Sequence, residues 1–348
     1  MKRLLLLGLA FLLVQAAPKT GFIDRSISYI HKGESKIGLT LDGGFWFASF
    51  AVGASKNLSL LFDSGSADVV LNTGNYRPSS ASIGLSAVGQ LSYGTTQSNG
   101  CGSSSINATE YLDQIGSVVA CLDNSSIPHD GIVGFAGQIV SGFNSTPFFH
   151  TLCNEKKTKE CRFGVSLGTK GKGEVALGFV DKSKFKGSLT TTPVIGEWFL
   201  NGDIAVNNKI VSKDALIELD TGPISVVQQI FEATGIQGIM VNEAGCLPTL
   251  VGYYPCNEPP VVGYSFPPES TLANQTVGVS KRSSIFNIPV EAFKFKDNGN
   301  NNCTAIVSGQ DFNNSLTPDL WVVGHPFFQT HYIDFNVGEE TVGLAKLA

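Results

Sequence analysis

Two short stretches constrain this 348-residue chain more than any others. Leu60-Leu61-Phe62-Asp63-Ser64-Gly65-Ser66 carries an apolar run into one acidic residue and then a tight Ser-Gly-Ser turn. A strand that ends this way holds a carboxylate where backbone N–H groups and small hydroxyls can surround it. One such stretch means little, because Asp-x-Gly turns close many hairpins. The pattern recurs, however, in Leu216-Ile217-Glu218-Leu219-Asp220-Thr221-Gly222, half a chain further on. Each copy is followed by a β-branched run, Val69-Val70-Leu71 and Ile224-Ser225-Val226-Val227. Each is followed later by an apolar-apolar-Gly segment, Asp130-Gly131-Ile132-Val133-Gly134-Phe135 and Leu320-Trp321-Val322-Val323-Gly324-His325. A duplication on this scale predicts two related lobes, each presenting one carboxylate.

Composition agrees with an all-β chain. Only 15% of residues are charged and 42% are hydrophobic, enough for a sizeable core in each of two lobes. Gly, Ser, Thr, Asn and Val abound, which favours strands and turns over helices. A net charge of −5 and a pI near 5.6 argue against a nucleic-acid partner. Lys2-Arg3, the apolar run Leu4–Val14 and Gln15-Ala16-Ala17 give residues 1–17 the pattern of a secretory signal peptide, with a buried N-terminal helix as the alternative. The apolar run is too short for a membrane anchor, and Ala345-Lys346-Leu347-Ala348 has no hydrophobic tail. A secreted protein is expected, with a vacuolar one as the alternative.

Secretion permits disulfides. The seven cysteines leave at least one thiol unpaired within the chain. No Cys-x-x-Cys pair exists and the five histidines form no ligand-spaced cluster, so neither a metal nor another cofactor is expected. Asn-x-Ser/Thr sequons stand at Asn57, Asn107, Asn124, Asn144, Asn274, Asn302 and Asn313. Those that carry glycan are expected in surface loops, although an Asn- and Ser-rich chain also yields sequons by chance.

In order along the chain, the landmarks resemble those of the pepsin-like aspartic peptidases. They are Phe62-Asp63-Ser64-Gly65-Ser66, Tyr93-Gly94-Thr95, Asp130–Gly134, Leu219–Gly222, Trp321–Gly324 and Val342-Gly343-Leu344-Ala345. The resemblance implies a bilobal fold of two related β-barrel-like lobes with the active-site cleft between them. It places the N-terminal lobe at 43–187, the C-terminal lobe at 188–348 and a boundary near Lys186-Gly187. Residues 18–42 would be a short pro-segment; the alternative is an ordered N-terminal strand. Tyr93 and Gly94 fall where the family has its flap, although Tyr93 also suits an ordinary edge strand. Cys256 followed by Asn-Glu-Pro-Pro resembles the family's late disulfide, whose partner would be Cys303. Cys153–Cys161 would close a short loop over Glu155–Glu160, and Cys101–Cys121 would join the strand after the flap to its neighbour. Cys246 is then left over. Strands are expected at Phe163–Leu167, Glu174–Gly178 and Thr190–Ile195, with Trp198–Leu200 and Ile204–Val206 opening the second lobe. A short helix is expected over Val226–Thr234, ending at Gly235.

The chemistry implied needs two carboxylates and a water. Asp63 and Asp220 would face each other, and two carboxylates roughly 3 Å apart cannot both ionise cheaply. At an effective dielectric of about 20 their repulsion is on the order of 5 kcal/mol, or about four pKa units. They would share one proton and titrate as a pair. The ionised member would take a proton from the attacking water, while the protonated member would stabilise the tetrahedral oxyanion. Gly65 and Gly222 form the turns, and Tyr93 would close over a polypeptide substrate.

Four positions depart from the family pattern. Ser64 stands for the commoner Thr, and Pro223 for a hydroxyl residue. Val70 stands where many relatives have a Trp behind the flap tyrosine, and His325 where an Asp is common. Ser66 can hydrogen-bond the Asp63 carboxylate, while Pro223 gives Asp220 no equivalent. The expected protein is a monomeric, secreted endopeptidase active at acid pH. The alternatives are a catalytically silent pepsin-fold binding or inhibitor protein and an unrelated β-rich carbohydrate-binding module, which would leave the duplicated Asp motif without a role.

Overall fold

The computed structural model describes residues 33–93, 104–196, 198–219, 228–242, 248–267, 284–310 and 320–348. They form two compact units. The first runs to Phe163 and takes in Gly171–Val180; the second holds Gly164–Lys170 and Asp181–Ala348. The chain therefore passes finally into the second unit at Asp181, ahead of the boundary expected at Lys186-Gly187.

The first unit is built from β1 (Ser35–Asp42), β2 (Phe45–Val52), β3 (Ser55–Asp63), β4 (Val69–Leu71), β5 (Ile83–Tyr93), β6 (Ser104–Asp113), β7 (Gly116–Cys121), β8 (Gly131–Gly134) and, after α1 (Phe148–Asn154) and β9 (Arg162–Leu167), β10 (Lys172–Leu177). Within the unit the strand order is β10-β1-β2-β3-β8-β4-β7-β6-β5. The sheet is open: β5 ends it, and no barrel closes among the described residues. Residues alternate in burial along most of β5, as expected of a strand with one face on the core. β3 and β8 are different. Leu60, Leu61 and Phe62, like all of β8, are buried, and the two strands pair in parallel.

Two apolar clusters fill this unit. Phe135 packs against Phe62, Phe148, Phe149 and Phe163, with ring centroids 4.7, 5.7, 6.1 and 5.0 Å away. The other cluster holds Val70, Leu91, Ile106, Val119, Cys121 and Phe143, with Tyr93 packed against it. β1 lies inside the stretch expected as a pro-segment, yet it pairs along its length with β10 and at its end with β2. Just before it, Gly33 exchanges backbone hydrogen bonds with Lys157 and Lys159.

A buried carboxylate fastens the far end of β6. Asp113 Oδ2 accepts from the Tyr76 hydroxyl at 2.7 Å and Ser79 N–H at 3.1 Å; Oδ1 accepts from the Ser79 hydroxyl at 2.5 Å and Gln114 N–H at 2.8 Å. Burial pushes this carboxyl up, but the donors outweigh it and hold the pKa below the usual carboxylate range. A lowered folded-state pKa contributes stability above the unfolded pKa, and that contribution is lost as pH falls through the folded value. Asp113→Asn is therefore expected to lower the melting temperature at mildly acid pH, with the gap to wild type closing as pH falls through the lowered folded pKa. Melting curves across that range check this; a constant gap at every pH would contradict it.

The second unit comprises β11 (Thr190–Pro193), β12 (Phe199–Val206), β13 (Lys209–Leu219), α2 (Gln228–Thr234), β14 (Gln237–Val241), β15 (Thr249–Pro255), β16 (Val262–Ser265), β17 (Ile285–Asn287), β18 (Lys294–Asp297), β19 (Asn302–Gln310), β20 (Leu320–Val323), α3 (His325–Phe328), β21 (His331–Asn336) and β22 (Thr341–Lys346). Its strands run in the orders β17-β16-β12-β13-β20, β14-β15-β19-β18 and β11-β22-β21-β9. The helix expected to end at Gly235 does so, and that glycine has φ of 70°, a left-handed stop. Gly164 leaves room for the Tyr332 hydroxyl, which accepts the Asp181 N–H at 2.9 Å while the Tyr332 ring stacks on Phe185.

Cys153 and Cys161 are bonded, as are Cys256 and Cys303. The second bridge spans 47 positions, worth about 4 kcal/mol in the loop-entropy model. The expected Cys101–Cys121 bridge is not formed: Cys121 is a free, buried thiol. It ends β7 on the side that faces the Val70 cluster, so it serves as a small apolar side chain. Cys101 and Cys246 lie outside the described residues. Asn57, Asn107, Asn124, Asn144 and Asn302 are all exposed, and three of them sit on strands rather than in loops. Asn57, Asn107 and Asn302 sit on β3, β6 and β19, where outward-facing strand positions leave the side chain in solvent. Asn274 and Asn313 lie outside the described residues.

Candidate active site

The candidate site in the first unit is the turn that follows β3. Asp63 ends the strand, and its Oδ1 accepts the Gly65 N–H at 2.9 Å, an Asx turn that fixes the carboxylate. The turn is then laced to the segment after β8. Phe135 N–H donates to Asp63 O at 2.8 Å, Ala136 N–H to Ser66 O at 2.8 Å, and Gly134 N–H to Asp68 O at 3.1 Å. Register sets Asp63 opposite Gly134. The close approach requires glycine there, because a Cβ on Gly134 would lie 2.4 Å from Ser66 O.

Ser64 is fully buried. Ser66 corrects an expectation: its hydroxyl oxygen is buried and, among the described residues, has no hydrogen-bond partner. The Asp63 carboxylate takes the Gly65 backbone N–H instead, because the Asx geometry offers that donor locally. Asp63 therefore has no Ser66 hydroxyl bond for Pro223 to deny to Asp220.

Tyr93 ends β5, opposite Ser104 of β6, and packs against the cluster that contains Val70. Burial holds the Tyr93 phenol well above its usual pKa, and the charges of Asp68 and Asp63 act in the same direction. Val70 is completely buried in this cluster. Asp68 went unnoticed in the sequence. It is a charged residue set in Ser66-Ala67-Asp68-Val69-Val70, and an acid placed before a buried β-branched run was the available signal.

The second copy of the motif repeats the strand pattern of the first. β13 pairs in parallel with β20, from Leu216 opposite Leu320 to Leu219 opposite Val323, as β3 pairs with β8. In sequence, Asp220 follows Leu219 and Gly324 follows Val323. Asp220, Thr221, Gly222, Pro223 and, after Tyr93, Gly94 lie outside the described residues. His325 opens α3, and burial lowers its pKa to about 4, so it is neutral except in strong acid. Among the described residues, the cluster with ligand-like spacing is Cys256, Asp297 and Cys303, whose two sulfurs are spent on each other.

A family model described as eukaryotic aspartyl protease covers residues 45–347. The chain belongs to the eukaryotic aspartyl protease family. It is thus an aspartic-type endopeptidase by family, with polypeptide as its substrate class. It is similar to Secreted aspartyl protease 1 of Malassezia globosa, 28% identical over 339 residues, 92% of this chain and 78% of that protein. It is also similar to Pepsin II-2/3 of Oryctolagus cuniculus, 23% identical over 86% of this chain and 80% of that one. In fold it resembles the crystal structure of an aspartic proteinase from Irpex lacteus. The TM-score is 0.68 at 20% identity, covering 91% of this chain and 98% of that chain.

Proposed function

We propose that the protein is a secreted acid endopeptidase in which Asp63 and Asp220 share one proton and activate a water against the scissile carbonyl. The observation that carries this reading is the repeated register: each Asp ends, or follows at once, a strand paired in parallel with an apolar segment that leads into Gly. An Asx turn and three backbone bonds hold the Asp63 turn fixed, which is the preorganisation such a carboxylate needs. Tyr93 serves as the flap residue, its ring resting on the Val70 cluster. Any pro-segment ends before Ser35, because β1 is integral to the first unit.

Secretion is supported by Lys2-Arg3 and the apolar run Leu4–Val14, by the two disulfides, and by likeness to a relative named as secreted. No helix among the described residues is long and apolar enough to cross a membrane. The test is hydrolysis of acid-denatured haemoglobin by the purified protein, followed as acid-soluble peptide. Digestion at acid pH, abolished by a statine-type inhibitor, is expected. Binding of that inhibitor without digestion would mark a silent member of the family.

A further inference from the structure

We propose that Asp68 is a positioning residue, whose buried carboxylate clamps the Ser141-Gly142-Phe143 turn beneath β5 and so sets where Tyr93 stands relative to the Asp63 turn. The inference rests on the proposed role of Asp63. Asp68 belongs to the Asp63 turn by its backbone, since its carbonyl receives the Gly134 N–H. Its side chain is buried and reaches away from that turn. Oδ1 accepts from the Ser141 hydroxyl at 2.7 Å, and Oδ2 accepts from the Gly142 N–H at 2.8 Å.

Only an oxygen that accepts suits the Ser141 side of this seat. The Ser141 oxygen already accepts the N–H groups of Phe143 at 3.3 Å and Ser145 at 3.0 Å. A hydroxyl has two acceptor sites and one proton, so the proton is left for Asp68. The clamped turn then presses on β5. A Cβ on Gly142 would lie 2.2 Å from Leu91 Cδ2, and one on Gly89 would lie 3.0 Å from the Phe143 ring. Leu91 is two residues before Tyr93, so the base of the Tyr93 strand rests on the turn that Asp68 holds. Glu110 backs the same turn: it accepts from the hydroxyls of Ser145 and Ser117.

The consequence is specific to the flap. Without the carboxylate, the Ser141 proton and the Gly142 N–H lose their acceptor, and the turn under β5 keeps only its own bonds and the Ser145–Glu110 contact. Asp68→Ala is expected to lower kcat on denatured haemoglobin about 10-fold, because a mispositioned flap fails to complete the closed site. Asp68→Asn keeps one acceptor oxygen for one of the two donors, and its loss should be about 3-fold. Ser141→Ala should match Asp68→Asn, and Ser141→Thr should recover wild-type kcat. A readout independent of activity is nitration of Tyr93 by tetranitromethane, followed by peptide mapping. It should rise in the order wild type, Asp68→Asn, Asp68→Ala.

Asp113→Asn serves as the control for general weakening of the same unit. Assayed below its melting temperature, it should leave kcat and Tyr93 nitration unchanged. The proposal is overturned if folded Asp68→Ala keeps wild-type kcat and nitration, or if Asp113→Asn lowers kcat as much. Should Asp68→Ala fail to fold, Asp68→Asn and Ser141→Ala decide, and wild-type values in both overturn it. If Asp63→Asn still hydrolyses haemoglobin, the catalytic reading fails, while the nitration series still judges the clamp by itself.

Discussion

Asp63→Asn and Asp220→Asn are each expected to remove haemoglobin hydrolysis, by about 10³-fold or more, while the protein still folds. Asparagine is nearly isosteric with aspartate. At position 63 its carbonyl oxygen can still accept the Gly65 N–H, so the Asx turn survives. The amide cannot take a proton from water, nor can it share one with a partner carboxylate. The ground-state shape is thus kept while the ionisable group is lost. Melting temperatures close to wild type, with activity at background, are the expected pair of results. Near-normal turnover in either variant would disprove the dyad. A large fall in melting temperature for Asp63→Asn would show that the carboxylate charge, and not only its shape, holds the turn.

What the sequence made legible was local or repeated. Asp63 and Asp220 announced themselves because a strand-ending acid before Ser/Thr-Gly occurs twice, and the parallel pairing of β3 with β8 and of β13 with β20 shows why the apolar-apolar-Gly segments accompany them. Cys153 and Cys161 are eight positions apart across one helix end and one strand start, close enough for sequence spacing to suggest them. What stayed hidden depended on distant partners. Asp68 meets Ser141 and Gly142, more than 70 positions away, and nothing local says that its carboxylate points inward. Ser66 lies in the same turn as Asp63, which suggests a hydroxyl bond to its carboxylate, yet three-dimensional geometry gives that bond to the Gly65 N–H. Cys121 was expected to bridge to Cys101 between neighbouring strands, but alternation along β7 turns it into the core, where it is a free thiol. β1 was hidden for the same reason: its partner β10 lies more than 130 positions later, and β1 sits in the short, slightly basic stretch 18–42 that resembles a detachable leader.

The Gly134→Ala variant is expected to destabilise the first unit strongly, although it adds a single methyl group. Gly134 closes the Asp130–Gly134 motif, and its backbone donates to Asp68 O while lying opposite Asp63. A Cβ at this position would meet Ser66 O at 2.4 Å and the carbonyl carbons of Ser66 and Ala67 at 2.6 Å. These are backbone atoms, so no flexible side chain can swing aside. Either β8 or the Asp63 turn must move, and each is held by hydrogen bonds to the other. Overpacking against backbone of this kind costs about 3 kcal/mol, corresponding to a fall of about 6–12 °C in melting temperature for a unit of this size. Gly38→Ala is the matched control, because a Cβ at Gly38 of β1 meets nothing within 4 Å. That change should stay within about 0.5 kcal/mol of wild type. Activity separates the two effects further. The fraction of Gly134→Ala that remains folded carries a displaced Asp63 turn, so its kcat should fall even at low temperature, whereas Gly38→Ala should keep its rate. A Gly134→Ala protein with wild-type melting temperature and rate would mean that the turn can yield at no cost, and that the glycine of this motif is not what fixes the Asp63 carboxylate.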